Sequence, residues 1–217
     1  MANINGAFGL RPVSKMGQNA NSTGTANSTM YEIANGNTNA IYKGSPVIPL
    51  ATGYIDIVGS ASGGAVGLIG VFMGCEYVAS TTGKMTFSNY WPGSGADSNH
   101  PIKAYVADDP NQIFVITGSN VVAGMNTKAE YRTAVFACAD FATATSGTTA
   151  TGLSSASLDL NTIAATKTLN LRILGWAEDP SNADFTAEGI GLLIRLNNHF
   201  NSPNGAIVAG TTDTAGI

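Results

Sequence analysis

A chain of 217 residues with a net charge of −4 carries 10 basic and 14 acidic side chains, yet 44% of it is hydrophobic. Asn, Ser and Thr supply 60 residues and Gly another 26, where an average soluble domain is about a quarter charged. Ten basic residues scattered from Arg11 to Arg195 exclude the clustered cationic face that nucleic acid requires, and the most apolar stretch, residues 65–75, is too short and glycine-broken for a membrane-spanning helix.

The surface this implies is polar but neutral, made of amides, hydroxyls and small residues. Such groups are buried in a contact with little desolvation of charge, whereas Lys and Glu are depleted from interface cores. Composition therefore points to a structural or binding role. The length suits one β domain with appendages, large enough to hold a core without disulfides or metals. Cys75 and Cys138 are expected as two buried free thiols of an intracellular, reduced protein. The opening Met1-Ala2-Asn3-Ile4-Asn5-Gly6 lacks the basic and apolar regions of a secretory signal.

In chain order, residues 1–29 read as an extended N-terminal arm. Residues 17–29 contain only Gly, Gln, Asn, Ala, Ser and Thr, with an internal echo in which Ala20-Asn21-Ser22-Thr23 is followed by Ala26-Asn27-Ser28-Thr29. Both copies match the glycosylation pattern, which here follows from composition. Residues 30–196 form the β domain. Strands are predicted at 31–33, 47–50, 54–58, 68–72, 75–78 and 84–87, with turn signals at Asn35-Gly36, Thr52-Gly53 and Ser62-Gly63-Gly64. Residues 102–107 and 112–117 read as a hairpin through Asp108-Asp109-Pro110-Asn111. Further strands are expected at 131–138, 169–176 and 190–196, and the best helix candidate is 155–165. Residues 197–217 read as a flexible or lattice-ordered tail. The fold class is mainly β, an antiparallel β-sandwich or barrel of jelly-roll-like character.

Convergent titratable groups are scarce. His100, in Asp97-Ser98-Asn99-His100-Pro101, reads as an exposed loop imidazole, and His199, in Asn197-Asn198-His199-Phe200, as a hydrogen-bonded structural histidine. Neither is spaced like a zinc motif. Asp108 and Asp109 offer hard oxygens to calcium, but such sites gather three or more carboxylates, so a turn-capping role is preferred. No Gly-x-Ser-x-Gly elbow and no phosphate loop with its lysine occurs. No enzymatic activity, metal or cofactor is expected. Tyr90-Trp91-Pro92-Gly93 is the strongest local cluster: a sugar-stacking platform, or, as preferred here, aromatics that close one end of the barrel or meet a neighbouring subunit.

Taken as an ordered series, several segments resemble a group of tailed-bacteriophage virion proteins known as head decoration, cement or stabilisation proteins. The series begins with Met1-Ala2-Asn3-Ile4-Asn5-Gly6-Ala7-Phe8-Gly9-Leu10-Arg11-Pro12-Val13. It continues through Ile41-Tyr42-Lys43-Gly44, Gly70-Val71-Phe72-Met73-Gly74-Cys75-Glu76-Tyr77 and Tyr90-Trp91-Pro92-Gly93. It ends with Ala104-Tyr105-Val106-Ala107-Asp108-Asp109-Pro110, Leu171-Arg172-Ile173-Leu174-Gly175 and Asn197-Asn198-His199. The resemblance implies a β-rich homotrimer on the capsid exterior, made in the host cytoplasm, that clamps neighbouring major capsid protein subunits without catalysis. Phe8, Leu10, Arg11, Pro12 and Val13, with Tyr90 and Trp91, are the expected capsid or intersubunit contacts. The rival readings are a tail tube or fibre protein, a carbohydrate-binding β module using Trp91 and Tyr90, and, last, a hydrolase.

Overall fold

The computed structural model describes residues 3–16, 28–59 and 67–202. The low-complexity stretch 17–27, the Ser62-Gly63-Gly64 turn and residues 203–217 of the expected tail lie outside them. The first half contributes β1 (Arg11–Lys15), β2 (Thr29–Ile33), β3 (Ile41–Tyr42), β4 (Pro46–Pro49), β5 (Ile55–Ile57), β6 (Gly70–Val78), β7 (Met85–Ser88), β8 (Tyr90–Trp91) and β9 (Ile102–Ala107). The second contributes β10 (Gln112–Ser119), a short helix α1 (Lys128–Thr133), β11 (Cys138–Thr143), β12 (Gly147–Thr148), β13 (Leu153–Ser154), β14 (Ser157–Ala164), β15 (Leu171–Trp176) and β16 (Gly191–Leu196). The fold is mainly β, as the glycine-bounded apolar runs require.

Five strands close into a barrel in the order β10-β14-β11-β15-β16, and β16 pairs again with β10. All contacts round the barrel are antiparallel except the short β10–β14 pairing. Alternate residues fill it: Phe114 and Ile116, Leu158 and Leu160, Leu171 and Ile173, Leu192, Ile194 and Leu196 are all buried. Beside it lies a sheet of order β2-β9-β6-β4-β5, with β7 added to β6. Its own core holds Ile33, Val47, Ile55, Phe72, Cys75, Ile102, Ala104 and Val106, together with Ile41 and Trp91 from the β3–β8 ribbon. Strands β4 and β6 serve both cores: Val47 and Phe72 face one, Ile48 and Val71 the other. A strand buried on both faces reads as a continuous apolar run, which is what residues 47–50 and 68–72 show.

Several expectations change. The proposed hairpin does not form: β9 pairs with β2 and β6, whereas β10 pairs with β1, β14 and β16. The Asp108–Asn111 turn carries the chain from one sheet into the other. The stretch 131–138 is not a strand, because α1 occupies its start under a capping box. Thr127 accepts from the Glu130 N–H while Glu130 reaches back to the cap, and Tyr131 is its buried anchor. The helix candidate 155–165 is strand β14, where Leu158 and Leu160 face the barrel core and Ser157 is also buried.

The expected arm is also redrawn where it is described. β1 pairs antiparallel with β10, Arg11 opposite Val115 and Lys15 opposite Gln112. Leu10 is 1% exposed and belongs to the barrel-side core. Upstream, the Ile4 and Asn5 N–H groups both donate to Asn182 Oδ1, at 3.0 and 2.8 Å. Asn3 Nδ2 donates to the carbonyls of Asp184 and Glu188, each at 2.9 Å. Gly9 makes the close approach possible: its φ is +73°, and a Cβ there would stand 2.8 Å from Ser154 Cβ. The tail likewise begins inside the fold, with Leu68 bridged to a buried His199.

Candidate functional site

The residues singled out from sequence divide by burial. Trp91 is 0% exposed. Its indole Nε1 donates to the Asn37 carbonyl at 3.3 Å, and Tyr77 meets its ring edge-on at 5.4 Å. Tyr90 is half-buried and stacks on Tyr42 at 5.6 Å with the planes 12° apart. With the Trp91 ring enclosed, no sugar-stacking platform exists here. Trp91 closes the second core, and neither it nor Leu10 has surface to offer a partner. Phe8 is half-buried with the Arg11 guanidinium 4.1 Å above its ring. Pro12 is half-buried and Val13 is exposed along the outer side of β1, so Phe8, Arg11, Pro12, Val13 and Tyr90 keep surface.

The polar candidates are committed to structure. Asp108 accepts from Thr29 Oγ1 at 2.9 Å and from the Tyr31 hydroxyl at 2.7 Å. Burial, followed by these contacts with Asp108, pushes the Tyr31 phenol up to about 12. Asp109 pairs with the nearly buried Lys15 at 2.6 Å, and hydrogen bonding to that ammonium holds its carboxyl below the usual range. Together they tie β2 and β1 to the crossing between the two sheets. His100 is exposed, with Nδ1 3.2 Å from Asp97. His199 is buried and its Nδ1 accepts from the Asn201 N–H at 3.1 Å; burial lowers its pKa against the opposing pull of Asp108 and Asp109. Cys75 and Cys138 are free and buried, Cys75 in the second core, and burial pushes the Cys75 thiol up to about 12, which keeps it from reacting as a thiolate. Among the described residues no three His, Cys, Asp or Glu side chains are grouped to hold a metal ion.

The site the structure does present is a sheet face that sequence reasoning missed. Pairing sets Met30 opposite Tyr105 and Tyr105 opposite Gly74. The next rows set Lys103 opposite Glu76, Glu76 opposite Phe87, and Val78 opposite Met85. Residues paired directly across antiparallel strands share a face, so these side chains form one surface. At its other end the same face runs through Val71 and Ala107, which are buried beneath the barrel. Beyond the barrel it is uncovered: Phe87 is 72% exposed, Met30 58% and Met85 54%.

Strand β7 is inside-out. Thr86 and Ser88 lie opposite Tyr77 and Cys75 on the side of the second core, while Met85 and Phe87 point to solvent. Gly74 has no side chain, and a recess of about 340 Å³ opens there between Phe87, Tyr105 and Cys75. Two of the charges on the face pair within it, and Glu32, opposite Lys103 on β2, adds one exposed carboxylate. Lys103 Nζ meets Glu76 Oε1 at 3.0 Å and the Tyr105 hydroxyl donates to Glu76 Oε2 at 2.8 Å. Hydrogen bonds first from Lys103 and then from Tyr105 hold the Glu76 carboxyl below its usual range. The outer edge of β7 has no strand partner among the described residues. The surface is therefore mostly apolar and only lightly charged.

Comparison with protein-family models, with curated proteins and with solved structures finds no match to this chain.

Proposed function

We propose that the protein is a structural virion component that seats on the outside of a bacteriophage capsid and holds neighbouring major capsid subunits together. The observation that carries this reading is the uncovered face of Met30, Tyr105, Phe87 and Met85, beside a free strand edge. The largest apolar patch on a monomer is often functional. A mostly apolar, lightly charged β surface of this kind buries against protein with little loss of charge solvation. A face that continues directly from an intramolecular packing surface is rigid before it meets its partner, which lowers the ordering cost of attachment. The resemblance in the ordered segments supplies the class of partner, and the low charge of the whole chain agrees with it. Seated across a boundary between subunits, the protein stabilises the shell by binding the assembled state in preference to the separated one. Many copies on a lattice compensate for a modest contact in each.

The test is co-sedimentation with purified capsids that lack the protein. Wild type is expected to saturate the shells, and the double variant Met85→Ser, Phe87→Ser to bind at least tenfold more weakly while melting at the wild-type temperature. Unchanged binding by a folded double variant would reject the reading.

A further inference from the structure

Phe136 combines two unfavourable features. It is 75% exposed and its φ is +75°, a conformation rare for bulky residues. It stands third in the turn Ala134–Ala137, which is closed by the Ala137 N–H donating to the Ala134 carbonyl at 3.0 Å. A positive φ at that place belongs to Gly or Asn. The segment is rigid: the Phe136 N–H donates to the Ile173 carbonyl at 2.9 Å, and the Ile173 N–H to the Ala137 carbonyl at 3.0 Å. These bonds clamp the turn to barrel strand β15. A strained, clamped and exposed aromatic is displayed by the fold and contributes nothing to its core.

The same chain carries a recess that fits it. Near the opposite end of α1, a depression of about 330 Å³ is lined by Trp176, Phe185, Pro180, Ile190 and Lys128, large enough for a phenyl ring and floored by aromatic and aliphatic groups. Its rim carries charge of both signs. Lys128 and the Arg132 guanidinium lie 5.9 and 5.3 Å from the Trp176 ring, and Glu178 stands exposed, while the Asp179 carboxylate is taken up by the Ser181 N–H and Asn182 Nδ2. Phe136 follows α1 directly, so wherever it docks the exposed cation Arg132 travels with it. A recess edged by the exposed Glu178 carboxylate offers that cation a partner.

We infer that this protein self-associates by inserting Phe136 of one copy into the Trp176–Phe185 recess of a second copy, with Arg132 of the first meeting Glu178 of the second. Because knob and recess are different surfaces, the contact closes as a reciprocal pair or a ring, or runs on as an open filament where the rotation does not close. This goes beyond capsid attachment and does not depend on it.

Sedimentation velocity of the purified full chain across a concentration series tests it, beside Phe136→Gly, Phe136→Ala and Glu178→Lys. Wild type is expected to assemble. Both Phe136 variants should weaken assembly at least tenfold, and Phe136→Gly alone should raise the monomer melting temperature by a few degrees, because glycine relieves the positive φ. Glu178→Lys should weaken assembly, and adding Arg132→Glu should restore it. A wild type that stays monomeric at high micromolar concentration, or a Phe136→Gly variant that assembles as wild type does, overturns the inference. So does a Phe136→Gly variant that assembles normally but no longer binds shells, since that outcome assigns the knob to the capsid. Capsid attachment is judged separately by the Met85 and Phe87 variant.

Discussion

In barrel strand β14, Leu158 and Leu160 point inward and Asp159 and Asn161 point out; in β7, Thr86 and Ser88 take the core side and Met85 and Phe87 the solvent side. Both strands alternate with the same period of two. The difference lies in which surface is finally covered. The barrel closes on itself and satisfies its apolar face within one chain, whereas the neighbouring sheet buries one face and part of the other. The uncovered part lies where β6 extends beyond the barrel, and there the apolar set has been turned outward. Apolar alternation in a strand therefore does not by itself tell an inward face from an outward one.

Substitutions can break or sharpen that contrast. The largest loss is expected for Trp91→Ala, which empties the second core and should cost about 3–5 kcal/mol, read as a lowered denaturation midpoint. Leu10→Ala should cost about 2–4 kcal/mol and expose the N-terminal segment to limited proteolysis. A cost near zero would mean that the segment docks without supporting the barrel. Asn182→Ala removes the acceptor shared by two backbone N–H groups and should cost about 1–3 kcal/mol, with faster cleavage ahead of β1.

Acid gives a graded effect. His199 is buried and its pKa is lowered, so its neutral form contributes fully above the ordinary histidine pKa of about 6.5. That contribution is lost as pH falls from there towards the folded-state pKa. Urea melts between pH 7.5 and 5 should show declining stability, and His199→Gln should flatten the decline. Glu76 and Asp109, held low by Lys103 and Lys15, contribute above the ordinary carboxylate range and lose it only at lower pH. The smallest effect, within about 0.5 kcal/mol, is expected for Met85→Ser with Phe87→Ser. If that pair destabilised the chain as much as Leu10→Ala does, the face would be structural and the contrast with the barrel would fail.

Much of the fold was legible because it rests on local signals. The β runs at 31–33, 47–50, 54–58, 84–87, 169–176 and 190–196 fall on strands, and the two thiols are buried and unpaired. Pairing was less legible. Asp108-Asp109-Pro110-Asn111 is good turn chemistry for a hairpin, but whether β9 and β10 pair depends on β2, β6, β1 and β16, which a short window does not contain. Helix α1 had a readable signal in Thr127-Lys128-Ala129-Glu130, overridden by the apolar look of 131–138. The burial of Leu10 was not legible because the groups that hold this stretch, the Gly44 carbonyl on the Leu10 N–H and the Ala156 carbonyl on the Gly9 N–H, are distant in sequence. The exposed face escaped notice because Met85 and Phe87 carry the pattern of inward-facing residues, and sequence alone does not say which way a strand is turned. At Phe136, nothing in the residue types announces a positive φ.

The central place of β10 has a consequence for synthesis. Phe114 lies opposite Ile194, so the barrel wall that starts at β10 stays open until the ribosome has delivered β16. At about 5–20 residues per second the wait lasts seconds, during which β1 and the start of β14 are the only neighbours β10 can recruit. A nascent chain in that interval displays an unfinished edge to every other nascent chain on the same message. Translation rate and temperature then bear on the yield of folded chains alongside final stability.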